Sequence, residues 1–306
     1  MSLVITTAAQ HSLLVDVPQL RRELGLSETA DAVLTEQARG VSAAIRTYCQ
    51  QDFARVAVQE SLPATGGAAL MLTRTPVVQL VALTQDSSPI LDAVIEDARA
   101  GVLTRTGLES WGWSWLSSAR WWPGSARSWD FGDTLMVPTA LLPAVVVDYV
   151  AGYLLPDDDL VTPYIAVDGA LKTLTLSVGQ YPLLVPGDTV ETAGFATAAN
   201  NATWTVLTRT ATVLTVVETG LVTEAQGASG GNPKTLRVRT LPDDILRASV
   251  DILKAWYISR ARDPVVTSRS IEGLSITYGG APGSATMPMA LPPTAAALLA
   301  PYRRIS

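Results

Sequence analysis

Tryptophans are concentrated in one short stretch, and their side chains offer the most distinctive chemistry in the sequence. Residues 111–129, WGWSWLSSARWWPGSARSW, hold six of the chain's eight tryptophans. Trp111, Trp113 and Trp115 alternate with small residues, so a β-strand would direct all three indole rings to one face. Such a face could stack on sugars or nucleobases, lie at a membrane surface, or pack against protein.

We favour protein packing for this tryptophan segment. A membrane-interface belt would need an apolar span or a basic amphipathic helix, and the sequence offers neither. A stacking platform stays open, because Arg120 and Arg127 could act as polar partners. Aromatic side chains bury a large area with few rotatable bonds, so the segment is predicted to pack within a β-lobe or against a neighbouring subunit. Trp121 and Trp122 join the first three tryptophans as candidate interaction residues.

Other patterns that could support catalysis or bind a metal lack the residues to complete them. GASGG (227–231) places Ser229 in a G-x-S-x-G pattern, but a predicted strand follows where that motif requires a helix, and the one histidine is His11. With Cys49 as the one cysteine, the sequence has no Cys/His zinc set and no intrachain disulfide. The acidic run 157–159 lacks the spacing of a calcium loop and is predicted to be a solvated linker. We therefore expect no catalytic residue, no metal and no cofactor, in a protein that is not an enzyme.

Composition is explained either by apolar surface that neighbouring subunits cover or by a large core with Ser/Thr-rich loops. Hydrophobic residues make up 48% of the 306 residues and charged residues 16%, against ~25% charged residues in typical soluble chains. The net charge of −6 disfavours a broad electrostatic grip on DNA or on an anionic membrane. The sequence lacks an apolar run of ~18 residues and a secretion signal, so we expect no membrane span and synthesis in a reducing cytosol.

Hydrophobic spacing predicts helices near both ends of the chain and strands between them. The predicted helices cover about residues 16–25, 28–50, 242–261 and 293–301. In the second helix, apolar residues from Leu34 to Tyr48 advance by four, three, four and three, which places them on one face. Short β-rich pieces separated by Pro, Gly, Asp and Ser predict an antiparallel β-lobe over about residues 55–153.

The region 157–240 is predicted to be an inserted β-domain. It is dense in Thr, Val and Gly and contains five strand-like segments, as expected for a small sandwich or barrel. Residues 1–156 and 241–306 would then form one domain, which ends in an extended arm and short helix over 265–306. The predicted fold class is α+β: a helical bundle with a small antiparallel β-lobe, plus an inserted all-β domain.

Several motifs follow one another in a fixed order along the two ends of the chain. They are VDVPQLRRELGL (15–26), AAIRTYCQQDF (43–53), LTRTPVVQLVAL (72–83), AGVLTRTG (100–107), WWP (121–123), VVVDYVAGY (145–153), LPDDILRASVDILKAWYISRARDP (241–264), SRSIEGLSITYG (268–279) and LLAPYRR (298–304). In this order they resemble the head-tail connector (head-completion adaptor) proteins of long-tailed bacteriophages and phage-derived particles. The region 157–240 departs from the family pattern, in which a short connection joins the same two motifs.

The resemblance implies a structural virion protein at the capsid vertex or neck, made in the host cytoplasm. Such proteins form rings, usually of twelve copies, beneath the portal protein, and they extend the DNA channel toward the next neck, stopper or tail-completion protein. DNA would pass through without specific binding, and no membrane would be involved. In this family the C-terminal arm reaches the portal or a neighbouring subunit, which implies a contact role for 268–306. The implied interaction residues there are Ile271, Leu274, Ile276, Tyr278, Tyr302, Arg303 and Arg304.

Two expectations remain beside this interpretation. The alternative function is a cell-surface or glycan-binding module of a phage particle, which would use the tryptophan segment or the inserted β-domain. The arm SRSIEGLSITYGG (268–280) lacks a clear amphipathic period, so it is predicted to be mobile in the free chain and to become ordered on assembly.

Overall fold

A computed structural model describes most of the chain between residues 2 and 304. The described residues are 2–9, 12–25, 31–63, 69–85, 87–106, 144–162, 164–177, 179–226, 233–238, 240–260, 268–271, 274–277 and 291–304. Their helices are α1 (Val17–Leu24), α2 (Asp31–Cys49), α3 (Asp243–Arg260) and α4 (Pro293–Leu299). Their strands are β1 (Ser2–Thr7), β2 (Val56–Pro63), β3 (Ala69–Met71), β4 (Val77–Gln85), β5 (Ser88–Pro89), β6 (Ala93–Asp97), β7 (Val102–Arg105), β8 (Ala144–Ala151), β9 (Leu160–Thr162), β10 (Ile165–Asp168), β11 (Thr173–Leu176), β12 (Thr189–Ala193), β13 (Thr203–Arg209), β14 (Val213–Val216), β15 (Lys234–Arg237), β16 (Ser268–Ile271) and β17 (Leu274–Thr277).

The helices come from both ends of the chain and share one core. In α2, the apolar side chains spaced four and three residues apart from Leu34 to Ile45 are fully buried. This helix packs against α1 and α3, and α3 packs against α4. The shared core contains Leu20 of α1, Ile252 of α3 and Leu299 of α4. The first and last parts of the chain therefore fold together, although the whole β-rich region separates them in sequence.

Two antiparallel sheets enclose a second core. The larger sheet has the strand order β1-β2-β8-β4-β5, and the smaller has the order β3-β7-β6. Along β2 the side chains alternate between core and surface, with Val56, Val58 and Leu62 buried. Leu70 of β3 and Leu103 of β7 enter the same core from the smaller sheet.

A seven-stranded antiparallel sheet, in the order β10-β11-β14-β13-β12-β15-β9, wraps around a third core that includes Trp204. Its two end strands, β9 and β10, are separated by only two residues in sequence, and Val167 of β10 exchanges two backbone hydrogen bonds of 2.8 and 2.9 Å with Glu224. The Lys234 ammonium of β15 also donates to the Ile165 carbonyl of β10 at 2.8 Å. This wrapping gives the sheet a barrel-like form, and all its strands lie within residues 160–237.

A polar cluster ties together the loops at one end of this barrel. Burial alone would raise the pKa of Glu224, but this carboxylate accepts hydrogen bonds from the Thr197 and Ala196 N–H groups, the Lys234 ammonium and the Asn200 amide. Together these donors outweigh burial and lower the pKa to about 2. Glu224 is therefore held as a carboxylate by the loops that it joins.

The end of β8 approaches the chain closely just before β2. Gly152 has φ +97°, and a Cβ atom there would lie 2.4 Å from the Ala54 carbonyl oxygen, so this position requires glycine. Tyr153 donates its N–H to the Phe53 carbonyl at 2.7 Å, and Arg55 donates its N–H to the Tyr153 carbonyl at 2.9 Å. The AGY sequence thus marks a backbone crossing at which a side chain cannot be accommodated.

A buried ion pair connects the barrel to this crossing. The guanidinium of Arg55 lies 2.5 Å from the carboxylate of Asp188, and the two side chains are 3% and 8% exposed. Arg55 also donates to the Gly152 and Leu183 carbonyls and to the Thr240 hydroxyl, at 3.3 to 3.5 Å. These bonds join the barrel to Gly152 at the end of β8 and to Thr240 in the segment that leads into α3.

The acidic run 157–159 takes part in the same junction. Asp158, 7% exposed, accepts the N–H of Leu155 at 2.7 Å, and Asp159 accepts the N–H of Val238 at 2.9 Å. The prediction of a solvated linker was therefore wrong. Two adjacent residues here belong to different cores. Leu154 packs into the core of the barrel, and Leu155 packs into the helical core.

The predicted fold class was also wrong. The described residues form seventeen strands in four antiparallel sheets and only four α-helices, so the protein is mainly β and not a helical bundle with a small β-lobe. One cause is β1, which has no strand pattern in the sequence and becomes a strand by pairing with β2. A second is the region 160–168, where β9 and β10 add two strands to the five expected in the insert.

The remaining strands, β16 and β17, form an antiparallel pair with Ile271 opposite Leu274 and Arg269 opposite Ile276. Within the described ranges they pair with no other strand. None of the helices that the structure describes is long and apolar enough to cross a membrane.

Candidate functional site

The structure places the predicted interaction residues in three different settings. Outside the described residues lie Trp111, Trp113, Trp115, Trp121, Trp122 and Tyr278. The backbones of Ile271, Leu274 and Ile276 belong to the β16–β17 pair. Tyr302, Arg303 and Arg304 follow α4 and line a groove on the surface of the protein.

Residues 293–304 pack against the helical core. Ala295 and Leu299 of α4 are fully buried, and the Tyr48 hydroxyl donates to the Ala296 carbonyl at 3.4 Å. Beyond α4, a short 3-10 helix spans Ala300–Tyr302, and Arg304 donates its N–H to the Cys49 carbonyl at 3.0 Å. Residues 301–304 therefore form one wall of the groove.

The opposite wall is the turn between β3 and β4, which a buried carboxylate holds in place. Glu60 of β2 has no exposed surface and accepts the Tyr149 hydroxyl at 2.7 Å, the Thr73 N–H at 3.0 Å and the Thr73 hydroxyl. The Arg74 N–H donates to the Tyr149 oxygen at 3.1 Å. Burial and the hydrogen bond to Glu60 raise the pKa of Tyr149, so its hydroxyl stays protonated and able to donate.

Between these walls lie two adjoining cavities of about 980 and 470 Å³, which share Gln50, Gln51, Thr73, Thr75 and Arg304. We call them together the arginine groove. Its arginines are Arg46, Arg74, Arg99, Arg303 and Arg304, and its carboxylates are Asp52 and Asp244.

The arginines of the groove differ in whether their partners are charged. Arg46 and Arg74 both pair with Asp52, each at 3.3 Å, so two cations share one carboxylate. The guanidinium of Arg304 donates to the Thr75 hydroxyl at 3.3 Å, and that of Arg303 lies 5.7 Å from the ring centre of Tyr48. Both of these partners are neutral.

Two groups beside the groove have shifted pKa values. Burial raises the pKa of Tyr302, Asp244 raises it further, and Arg99 opposes both. Burial also raises the pKa of the Cys49 thiol to about 11, although Arg303 acts to lower it. Tyr302 is thus a neutral donor near neutral pH, and Cys49 is an unreactive thiol.

The arrangement is suited to binding an anion. Among the described residues, no group of three or more His, Cys, Asp or Glu side chains could hold a metal ion. Ser229 and His11 of the G-x-S-x-G hypothesis lie outside those residues. Guanidinium groups bind carboxylates through paired, charge-assisted hydrogen bonds, and several are available here.

Sequence reasoning found only the C-terminal members of the groove. Arg46, Arg74 and Arg99 were missed, because each lies more than twenty residues in sequence from the next arginine of the groove. Their grouping depends on the packing of α2 and α4 beside the turn before β4. Isolated arginines give no sequence signal for such a site.

No protein family model matches the chain, and no curated protein matches it. Among solved structures it is similar to a chain from the "Neck of empty GTA particle computed with C6 symmetry". That match has 20% identity, covers 52% of this chain and 77% of the other, and has a TM-score of 0.31. A second similar chain comes from the "Virion of native gene transfer agent (GTA) particle", with 21% identity, the same coverage and a TM-score of 0.32. At these TM-scores the similarity is partial and does not establish a shared fold.

Proposed function

We propose that the chain is a structural protein of a phage-like particle and acts as its head-tail adaptor. The observation that carries this proposal is the packing of the two ends of the chain. Four of the motifs that resemble connector proteins overlap α1, α2, α3 and α4, whose buried faces form one core. The seven-stranded barrel falls between β8 and α3, where a connector-like chain would receive an inserted domain.

The N-terminal strand supports assembly with further copies. β1 is at the edge of the five-stranded sheet, and no other described strand pairs with its outer side. Val4 and Ile5 on this strand are 56% and 43% exposed. An unpaired edge strand with apolar side chains favours pairing with another chain. In the proposed ring this edge lies between neighbouring subunits.

In the proposed particle, the ring sits beneath the portal protein and extends the DNA channel. It presents its other side to the next neck, stopper or tail-completion protein, and it catalyses no reaction. Twelve copies would match the usual ring. The net charge of −6 suits a channel through which DNA passes without binding. The barrel lies on the outside of the ring.

Reconstitution with the portal protein encoded in the same genome tests this function. We expect the chain to bind the purified portal and to form rings visible by negative-stain electron microscopy. Val4→Lys/Ile5→Lys should prevent ring closure while leaving the monomer's melting temperature unchanged, because both side chains are exposed. Leu91→Lys is the matched control, since Leu91 is 93% exposed and lies outside β1. Failure to bind the portal, together with absence from purified particles, would reject the adaptor role.

A further inference from the structure

The arginine groove carries an excess of positive charge on an acidic protein. Five arginines and two carboxylates line it, which leaves a formal charge of 5 − 2 = +3. The whole chain carries −6. A positively charged patch on an otherwise acidic protein attracts an anionic ligand and repels the same patch on another copy.

Part of this charge has no ion-pair partner among the described residues. Asp52 is already shared by Arg46 and Arg74. Arg99 and Arg303 are exposed, and neither forms an ion pair with any other residue that the structure describes. The groove thus offers at least two guanidinium groups that can each take a carboxylate in a bidentate arrangement.

The groove also has apolar and aromatic surface between its cations. Met71, which is 65% exposed, lies in the larger cavity with Pro76, Tyr153, Pro301 and Tyr302. The volume of about 980 Å³ is at the upper end of the ~300–1,000 Å³ range of pockets that hold small ligands. Room therefore exists for several residues of an extended peptide, including one large apolar side chain.

We propose that the arginine groove binds an acidic segment of a partner protein, anchored by one apolar or aromatic side chain. The carboxylates of this segment pair with Arg99, Arg303 and Arg304, and its anchor packs against Met71 and Tyr302. This deepens the proposed function and rests on it only for the partner being a neighbouring particle protein.

Nucleic acid suits the same groove less well. A nucleic acid strand carries a negative charge at every nucleotide, and Asp52 and Asp244 line the groove that it would follow. An acidic peptide, in contrast, need not be charged at every residue, so its carboxylates can lie opposite the arginines and away from Asp52 and Asp244. It can also fill the apolar surface, which a sugar-phosphate backbone leaves uncovered.

Direct binding to the isolated full chain tests this inference without requiring a portal. The probes are three fluorescein-labelled ligands: an eight-residue peptide of Glu and Asp with one Phe, the same peptide with Lys replacing each acid, and an eight-nucleotide thymidine strand. We expect the acidic peptide to bind most tightly, with a Kd that rises with salt concentration. Arg99→Gln/Arg303→Gln should weaken its binding at least ~10-fold, because two charge-assisted contacts are lost.

Arg237→Gln is the matched control, since Arg237 is an exposed arginine on the barrel and outside the groove. It should leave the Kd within twofold of the parent value. An Arg99→Gln/Arg303→Gln chain that binds the acidic peptide as tightly as the parent would overturn the proposal. So would tighter binding of the thymidine strand, which would indicate a nucleic acid site. Self-association at low salt that this variant abolishes would assign the groove to a second copy instead. Portal binding is measured separately, so failure of the adaptor role and failure of the groove are distinguishable.

Discussion

Removing one partner of the buried ion pair between Arg55 and Asp188 should be one of the most destabilising single changes in the protein. Asp188→Asn removes the negative charge and keeps the shape of the side chain. The amide oxygen of the introduced asparagine can still accept the Val185 N–H, which Asp188 accepts at 2.8 Å. The change therefore isolates the charge from the local turn, and it leaves the Arg55 guanidinium buried without a carboxylate.

Removing one partner of a buried ion pair costs ~3–5 kcal/mol, since the remaining charge stays desolvated. The lower end applies here, because Arg55 retains its bonds to Gly152, Leu183 and Thr240. We expect the free energy of unfolding to fall by about 3 kcal/mol, and the melting temperature by roughly 5–10 °C. Replacing both residues, as Arg55→Met/Asp188→Asn, should recover at least ~1 kcal/mol relative to the sum of the single changes.

Differential scanning calorimetry and urea unfolding followed by circular dichroism measure these effects. The exposed ion pair of Arg39 with Glu36, at 3.4 Å and with side chains 66% and 77% exposed, is the control. Breaking it with Arg39→Met should change stability by less than ~1 kcal/mol. The reasoning is refuted if Asp188→Asn has as small an effect as Arg39→Met, or if the two changes at the buried pair are additive.

Three further predictions follow from the junction, the barrel and the helical core. Gly152→Ala should lower the free energy of unfolding by at least ~2 kcal/mol, because of the backbone clash and the positive φ. Gly25 also has a positive φ, +64°, but open space around it, so Gly25→Ala should cost only about 1 kcal/mol. Thermal unfolding of the two variants distinguishes these effects. The pKa of Glu224 is depressed to about 2 from 4.5, so the contribution of this carboxylate to stability is complete above pH 4.5 and is lost as the pH falls toward 2. Across this pH window, the unfolding free energy of Glu224→Gln should therefore change less than that of the parent protein. Cys49 should react slowly with a thiol reagent at pH 8, since its pKa is about 11, and Leu299→Ala should accelerate labelling by loosening α4.

Local patterns in the sequence predict individual elements well, because each pattern depends on residues near one another in the chain. The spacing of apolar residues in α2 and the alternation in β2 directly give a buried helix face and a buried strand face. β1 has no such signal, since four of its last five residues are exposed. It is a strand only because Ser2 to Thr7 pair with Ser61 to Ala57. Long-range pairing of this kind explains why the strand content was underestimated, although each of the four predicted helices is present.

Some residues of the candidate site could be predicted from the sequence, whereas others are brought together only by tertiary packing. The resemblance to connector proteins directed attention to Tyr302, Arg303 and Arg304, and the structure places all three at the arginine groove. Arg46 and Arg74 belong to motifs that carry the same resemblance, but nothing in their sequence context indicates that both pair with Asp52. Ion pairs between distant residues depend on tertiary packing and leave no periodic trace.

One short segment links the groove to the barrel, and this gives a last prediction. Asp52 pairs with two arginines of the groove, while Arg55, three residues later, pairs with Asp188 of the barrel. The intervening Phe53 and Ala54 are held at the crossing with β8, and we expect this short segment to move as a unit. Binding at the groove and the seating of the barrel should therefore be coupled. Asp188→Asn is expected to change the Kd of the acidic peptide by about 5-fold or more, the size of a weak coupling free energy. An unchanged Kd, in a variant whose barrel is destabilised as expected, would show that the segment transmits nothing and that the two regions act independently.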